Sequence, residues 1–413
     1  MAIYDSSDPA GVSTGNSASR GGIISRSIRS RFRILAVIAV MLAVFGGMHY
    51  YLYARLLSAL DLCSWPGIWA LRGVMVCGAI SFPLLRILAR TNVWRAPVLV
   101  CWVVMVWMGF ALYAFLTTIA LQGLVAILGI AGLGLPNPVL PGLSPAHAGV
   151  ALVLATTAVL VVIGFSKAQA MPRTTNVEIA LAHLPPALDG FSLVQLSDVH
   201  VGPFTSNRRL RRIVERVNTL APDLVVITGD LADEKPAHLT EAMLLLGNLR
   251  ARHGVLAVPG NHDFFAGVDA GEHWEGGIRF LRNERVTVAG AIEVYGIDDD
   301  PAVARTQGSR TACFEQVIGS ETRQSPSIVL FHQPLGYPRL AEMGVGLVLS
   351  GHTHGGQFWP VSWLSRLFYP YNAGHYQIGA SHFYVSRGTG TWGPPMRLGV
   401  PSEIVHMRLR ATT

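Results

Sequence analysis

The run SLVQLSDVH at residues 192–200 decides the architecture of the C-terminal half of the chain. Its first five residues read as a strand buried on both faces, and it ends on Asp198 and His200, polar groups that burial penalises unless they are partnered. Four more apolar runs end in the same way. Leu224–Thr228 leads into Gly229-Asp230-Leu231-Ala232-Asp233, Val255–Val258 into Gly260-Asn261-His262-Asp263, Ile328–Phe331 into His332-Gln333-Pro334, and Leu347–Leu349 into Ser350-Gly351-His352-Thr353-His354. Glu293–Ile297 is a sixth strand, with helices predicted over Ser206–Thr219 and Lys235–Leu249 between the runs. This alternation predicts an α/β domain over residues 172–413, large enough to hold its own core.

Open α/β sheets bind ligands at the C-terminal ends of their strands, where all five clusters fall. Asp198/His200 and His352/His354 are spaced i, i+2, which in extended backbone turns both side chains to one side and lets each pair grip one ion. Singly these signals are weak, since a lone Gly-Asp is usually a turn and a lone His usually a satisfied core residue. Five in series, each at a strand end, require five separate accidents under a purely structural reading.

The N-terminal half has a different texture. Hydrophobic residues make up 51% of the 413 and charged residues only 14%, against about 25% charged in soluble domains. Residues 1–33 are rich in Ser, Gly and Arg and read as a disordered basic tail. Residues 34–166 hold apolar runs long enough to cross a bilayer at about Ile34–Ala54, Gly67–Leu88, Pro97–Leu121 and Ala148–Phe165, a four-helix transmembrane region. Gln122–Leu135 is ambiguous. Arg72 sits near one end of the second run, where a long side chain can reach the headgroups.

Residues 1–166 carry ten Arg against three Asp, which accounts for the whole net charge of +7, so the C-terminal domain is neutral and offers no basic footprint for nucleic acid. Arginines before the first run and after the second, with Lys167 and Arg173 after the last, place the C-terminal domain in the cytoplasm of what reads as a bacterial inner-membrane protein. The four cysteines have no paired spacing, which excludes a disulfide or Cys-zinc framework.

In order, the clusters are D-x-H, G-D, G-N-H-D, H and G-H-x-H, and this pattern resembles the calcineurin-like metallophosphoesterase superfamily across residues 172–413. GHTHGGQ at 351–357 and VSRGTG at 385–390 are similar to the YkuE-type branch, whose members often carry N-terminal membrane helices. The resemblance implies an αββα sandwich of two sheets. It implies that Asp198, His200 and His354 hold one divalent ion, that Asn261, His332 and His352 hold a second, and that Asp230 bridges them. His262 becomes the catalytic histidine near the leaving group, and Asp233 the acid that orients it. The implied reaction is hydrolysis of a phosphodiester, pyrophosphate or phosphomonoester through a metal-bridging hydroxide.

The chemistry of these side chains agrees with that assignment. Two close dications need a carboxylate between them and lower the pKa of a shared water toward neutrality, and an imidazole suits protonation of a leaving alkoxide near pH 7. Imidazole nitrogens with carboxylate and amide oxygens suit Mn²⁺, Fe²⁺/³⁺ or Zn²⁺ better than Mg²⁺ or Ca²⁺.

Phosphoprotein phosphatases of the superfamily follow G-D-x-x-D with Arg-Gly, whereas Glu234-Lys235 stands here, which turns the expectation from protein substrates toward a small-molecule, nucleotide or lipid phosphoester. A nucleotide-linked lipid such as UDP-2,3-diacylglucosamine is one such substrate. Arg387 and Arg397 are candidates to hold the phosphate, or else form ordinary salt bridges. Residues 357–376 are crowded with aromatics and carry Arg366 as their one charge; they read either as a loop over the domain's own core or as an interfacial lid admitting a lipid. A sensor or transporter with a regulatory domain is the rival class, disfavoured because the spans lack acids and no ligand position is missing.

Overall fold

The computed structural model describes residues 18–60, 64–89, 97–133, 144–233, 239–267, 277–299, 307–319 and 324–412, with the side chains of 18–38, 86, 89 and 307–310 outside the description. Residues 1–17 of the expected tail, the prolines at 136–141, Arg90, Arg95, Glu234 and Lys235 therefore lie outside it. By its contacts the chain divides into two compact units, Met1–Ala96 and Pro97–Thr413.

Among its described residues the first unit holds two helices, α1 (Ala18–Ala59) and α2 (Trp65–Ala89). Helix α1 begins well before the first apolar run, so residues 18–33 are helical where a disordered tail was expected. No proline interrupts them, and a helix nucleated by the apolar run extends at little cost. Phe45 and Phe82 pack at 5.5 Å between ring centres. Arg72 lies over the Trp69 ring at 4.6 Å and bonds the Tyr53 hydroxyl at 3.3 Å, which satisfies the charge within the helix pair.

The second unit opens with α3 (Val98–Ile130) and α4 (Pro145–Gln169). Among the described residues three helices are long and apolar enough to cross a membrane: Trp65–Leu85, Val98–Ile130 and Pro145–Gln169. The fourth expected span, about Ile34–Ala54, falls on α1, part of whose side chains lie outside the description, and it does not add a candidate. Gln122 through Ile130 continue α3, which ends with Gly132 in the left-handed region (φ 73°).

The sandwich starts at β1 (Arg173–Leu181), three residues after α4. Its first sheet adds β2 (Phe191–Leu196), β3 (Leu224–Thr228), β4 (Val255–Val258), β5 (Ile278–Phe280) and β12 (Glu403–Ala411), in the order β1-β12-β2-β3-β4-β5. The second holds β6 (Glu284–Val288), β7 (Ile292–Ile297), β8 (Ser327–Phe331), β9 (Leu347–Ser350), β10 (Gly374–Ile378) and β11 (Ser381–Val385), in the order β10-β11-β9-β8-β7-β6. Both sheets are mixed. Strands β2 to β5 are mutually parallel, as are β7, β8, β9 and β11, while β12 runs antiparallel to β2 and both β6 and β10 are antiparallel to their neighbours.

Alternation along each strand builds the layers. In β3, Leu224 and Val226 face the other sheet, joining Ile328, Leu347 and Val405 in the central core, while Val225 and Ile227 face outward. The outer face of the first sheet is covered by α5 (Asn207–Thr219) and α6 (Thr240–Leu246) through Leu210, Ile213, Val217, Met243 and Leu246. The second sheet is covered by α8 (Gln307–Ile318) and α9 (Tyr337–Glu342), whose Phe314, Tyr337 and Leu340 meet Val329 and Phe383. Four layers result, helix on sheet on sheet on helix. Ser206 caps α5 by accepting from Arg209 N at 3.2 Å, as the helix start read from the sequence requires.

The helix pair α3/α4 and the sandwich form one packed body. Tyr113, Val161, Phe358 and Met396 make a buried cluster between them. Gly109 and Gly164 leave room for Met396, since a Cβ on either would stand within 2.8 Å of that side chain. Arg397 N donates to Gly164 O at 2.8 Å, a backbone bond between a domain loop and α4.

Candidate metal centre

The loops following β2, β3, β4, β8 and β9 open at one end of the sandwich, three from the first sheet and two from the second. There they bring together Asp198, His200 and His354 as one group and Asp230, His332 and His352 as another, the ligand-capable atoms within each lying within 4.8 Å of one another. His200 Nε2 is 3.0 Å from His354 Nε2, and His354 Nε2 is 3.3 Å from Asp198 Oδ1. His332 Nε2 is 3.0 Å from Asp230 Oδ2 and 3.2 Å from His352 Nδ1. Asp230 Oδ2 also lies 3.9 Å from His200 Nε2 of the first group.

Backbone geometry differs from what the i, i+2 spacing suggested. Asp198 (φ 52°), His200 (φ 48°), Asp230 (φ 51°), His352 (φ 70°) and His354 (φ 51°) all adopt the left-handed region, so their shared direction comes from tight loop turns and not from extended chain. Each such residue costs about 1–2 kcal/mol, and such strain concentrates at functional sites. The motif glycines are required by close approach. A Cβ on Gly260 would sit 2.2 Å from Asp230 Oδ1, and one on Gly229 (φ 86°) 2.5 Å from His332 Nδ1.

The donor set fits a pair of cations. Thr228 O, a carbonyl that can only accept, lies 2.7 Å from His332 Nδ1, so that nitrogen donates and Nε2 turns a lone pair toward the Asp230 carboxylate. His200 Nδ1 likewise donates to Asp233 Oδ1 at 2.8 Å, leaving Nε2 to face His354. A lone pair of His332 aimed at the Asp230 carboxylate calls for a positive charge between them, which a proton or a metal ion supplies. Asn261, first residue of α7 (Asn261–Ala266), has a buried Oδ1 with no hydrogen-bond partner, an orphan that a cation would satisfy. Its neighbour His262 donates its backbone N–H to Asp230 Oδ1 at 2.8 Å, which fixes Asn261 beside the shared carboxylate.

The calcineurin-like phosphoesterase family pattern matches residues 191–356, the segment that supplies every one of these groups. The chain is 37% identical over 278 residues to a "transmembrane protein with metallophosphoesterase domain" of Bos taurus, covering 63% of this chain and 62% of that one. It is 32% identical over 256 residues to the uncharacterized metallophosphoesterase YkuE of Bacillus subtilis, covering 59% of this chain and 87% of that protein. This chain is a calcineurin-like metallophosphoesterase. It spans about 62% of the length of the vertebrate relatives it matches. A crystal structure of a dimetal phosphatase from Danio rerio is similar at 11% identity and a TM-score of 0.32, over 50% of this chain and 90% of that one.

All nine residues read from the motifs meet at this end of the metallophosphoesterase. Asp233 Oδ1 lies 2.8 Å from Nδ1 of both His262 and His200, so it serves a ligand position as well as the expected partner. Burial lowers the pKa of His200, but the carboxylates of Asp233, Asp230 and Asp198 outweigh this and hold it up to about 9. The same balance of burial against Asp230 raises His332. His352 is pushed down to about 3 by burial and the nearby His332 charge, and burial with His200 lowers His354 well below the usual range, so both stay neutral and able to ligate. Burial raises Asp198, partly offset by His332, and the nearby Asp230 charge raises it further.

Several working groups escaped the sequence reading. Tyr369 places its hydroxyl 2.9 Å from His352 Nε2, and Ser197 Oγ donates to Asp198 Oδ2 at 2.6 Å. Asp263 closes the G-N-H-D motif by accepting from Gly260 N at 2.8 Å and Ala232 N at 2.9 Å, which ties two ligand loops together. Phe265 and Trp392 flank the His262 ring at 6.0 and 5.9 Å. Only Ser197 and Asp263 carried a signal, as neighbours of motif residues.

Both arginines considered for the phosphate make contacts within the domain, Arg387 the salt bridge expected as the alternative. Arg397 is 1% exposed and donates to the carbonyls of His354, Arg387 and Gly390, while Arg387 pairs with buried Glu403 at 2.8 Å.

Proposed function

We propose that this metallophosphoesterase is a membrane-anchored hydrolase of a phosphodiester, pyrophosphate or phosphomonoester that works with two divalent ions of the Mn, Fe or Zn class. Asp198, His200 and His354 would hold one ion and Asn261, His332 and His352 the other, with Asp230 common to both. Bound there, the ions would supply Lewis-acid polarisation of the phosphoryl group and a water acidified toward neutrality. The observation that carries this reading is the position of Asp230, whose Oδ2 lies between the two histidine groups, 3.0 Å from His332 Nε2 and 3.9 Å from His200 Nε2.

The rest of the chemistry belongs to the chain. Asp233 accepts from His262 Nδ1 and so fixes the tautomer and aim of that ring, leaving Nε2 to carry a proton to the departing alkoxide. Phe265 and Trp392 beside the ring limit water around it. The cytoplasmic placement of the domain rests on the basic residues that flank the apolar runs.

The test is turnover by the full chain in detergent, loaded with Mn²⁺ and offered monoesters, diesters and a nucleotide-linked lipid, beside an Asp230→Asn variant. Turnover of at least one class, lost in the variant, is expected. Equal turnover by the variant would contradict the shared carboxylate.

A further inference from the structure

Helix α10 (Val361–Phe368) is built inside out. Its half-buried positions are Ser362 and Ser365, and Ser362 lies so close to Gly356 that a Cβ there would stand 2.3 Å from the Ser362 Cα. Apart from Arg366, its outward positions are apolar: Trp363 is 61% exposed, Leu367 68% and Phe368 76%, with Trp359, Val361 and Leu364 exposed beside them. In water such a face is unfavourable, and a contiguous patch of this kind marks a partner.

The packing of α3 and α4 says what the partner is. Lys167 is the first charge after the uncharged stretch of α4, and Val161 lies six residues before it, about 9 Å deeper along the helix axis. Phe358 is buried against Val161 and Tyr113, and the Tyr113 hydroxyl donates to Trp359 O at 2.6 Å. The chain therefore enters α10 from a point level with residues that α3 and α4 must keep in lipid. At its other end α10 delivers Tyr369 to His352. Gln357, just before this segment, holds Trp392 through Trp392 O and Trp392 N, both at 2.8 Å, and Trp392 borders His262.

We propose that α10 lies in the interfacial layer of the bilayer with its Trp, Leu and Phe side chains among the acyl chains, and that the metal centre takes the headgroup phosphoester of a bilayer lipid. This rests on the phosphoesterase reading above and deepens it by naming the substrate class. The bond cleaved is P–O: water adds to phosphorus, the alkoxide leaves with the proton carried by His262, and no oxidant or reductant is needed. The apolar rim keeps the tail in lipid while the headgroup reaches the metal centre, so no desorption step precedes hydrolysis.

Two measurements on the full chain in phosphatidylcholine nanodiscs test it. First, a nitroxide on Leu367→Cys, with the native cysteines replaced by Ser, is expected to be accessible to oxygen and shielded from an aqueous nickel chelate. Chelate access equal to that of a label on an exposed sandwich loop overturns the placement. Second, Trp363→Glu and Leu367→Glu are expected to lower kcat/KM by roughly tenfold or more on a dialkylglyceryl p-nitrophenyl phosphodiester. Methyl p-nitrophenyl phosphate, with the same leaving group and no tail, should be hydrolysed at the unchanged rate, which also shows that the variants fold. An equal loss on both, or on neither, overturns the substrate class. Wild-type turnover of the methyl ester alone would overturn the lipid substrate and leave the phosphoesterase reading standing. Turnover of neither with Mn²⁺ would overturn that reading itself, and the nitroxide would still decide where α10 lies.

Discussion

Asp233 offers one oxygen, Oδ1, to His262 Nδ1 at 2.8 Å, and the same oxygen lies 2.8 Å from His200 Nδ1. One carboxylate thus orients both the proposed proton donor and a proposed ligand. Asp233→Asn should then lower metal affinity and kcat together, each by about 10–100-fold. His262→Ala should lower kcat while metal content stays at the wild-type value, with a larger loss for an alkyl leaving group than for p-nitrophenolate. Metal content measured beside kinetics on both ester types separates the two effects; identical profiles for the two variants would contradict the division of labour.

Proton binding should compete with metal binding near neutrality. His200 has a folded pKa of about 9 against an ordinary 6.5, held up by Asp233 despite burial, and His332 is raised in the same direction. A raised pKa means that the folded state holds the proton more tightly. Its contribution to stability is full below about pH 6.5 and disappears as pH rises through 9. The metal-free chain should therefore melt at lower temperature at pH 9 than at pH 6.5. His352 and His354, whose values are depressed, titrate below this window and do not oppose the trend. Over the same window Mn²⁺ affinity should rise, about tenfold per pH unit for each proton displaced. Melting curves and metal titrations at three pH values check both slopes.

Tyr369→Phe removes the hydroxyl that meets His352 Nε2 while keeping the ring. The expected result is a loss of about tenfold in affinity for one of the two ions, with the other unchanged. Stoichiometric titration followed by calorimetry would resolve two classes of site in the variant where the wild type is closer to one.

Arg397→Met should destabilise the chain by about 3–5 kcal/mol, as removal of one member of a buried polar network does. The side chain is almost fully buried, and its loss takes the guanidinium from the carbonyls of Arg387 and Gly390 and from His354, whose carbonyl keeps only the Gln357 N–H. Arg397→Lys should not rescue, since a single ammonium cannot span three acceptors in a fork. Thermal unfolding of both variants in detergent is the measurement.

Much of the sandwich was legible because buried parallel strands leave continuous apolar runs, and β3 and β4 match their predicted bounds to the residue. The ligands were legible for a related reason: each follows such a run directly. β12 was not, because its place between β1 and β2 depends on pairing across more than 200 residues. Arg397 reads from the sequence as a candidate for the phosphate and Tyr369 as one aromatic among several, because three-dimensional packing alone brings them to His354 and His352. The helix in 18–33 was missed because composition reports weak burial, not whether an adjoining helix will run on. The aromatic segment was read as either a core loop or a lid, and burial favours neither a core role for α10 nor a water-facing one.

Arg397 joins two worlds in one residue. Its backbone N–H is held by Gly164 in α4, and its side chain grips the carbonyl of His354. The helix hairpin is thus part of the scaffold that sets the metal loop, not a leash from which a free-standing catalyst hangs. A fragment cut after α4 would expose Met396 and Phe358, leave that amide without its acceptor, and loosen the clamp on His354 from behind. Changes in helix tilt, whether from bilayer thickness or lateral pressure, have a direct mechanical route to the ligand geometry, so turnover should respond to the membrane as a material and not only as an address.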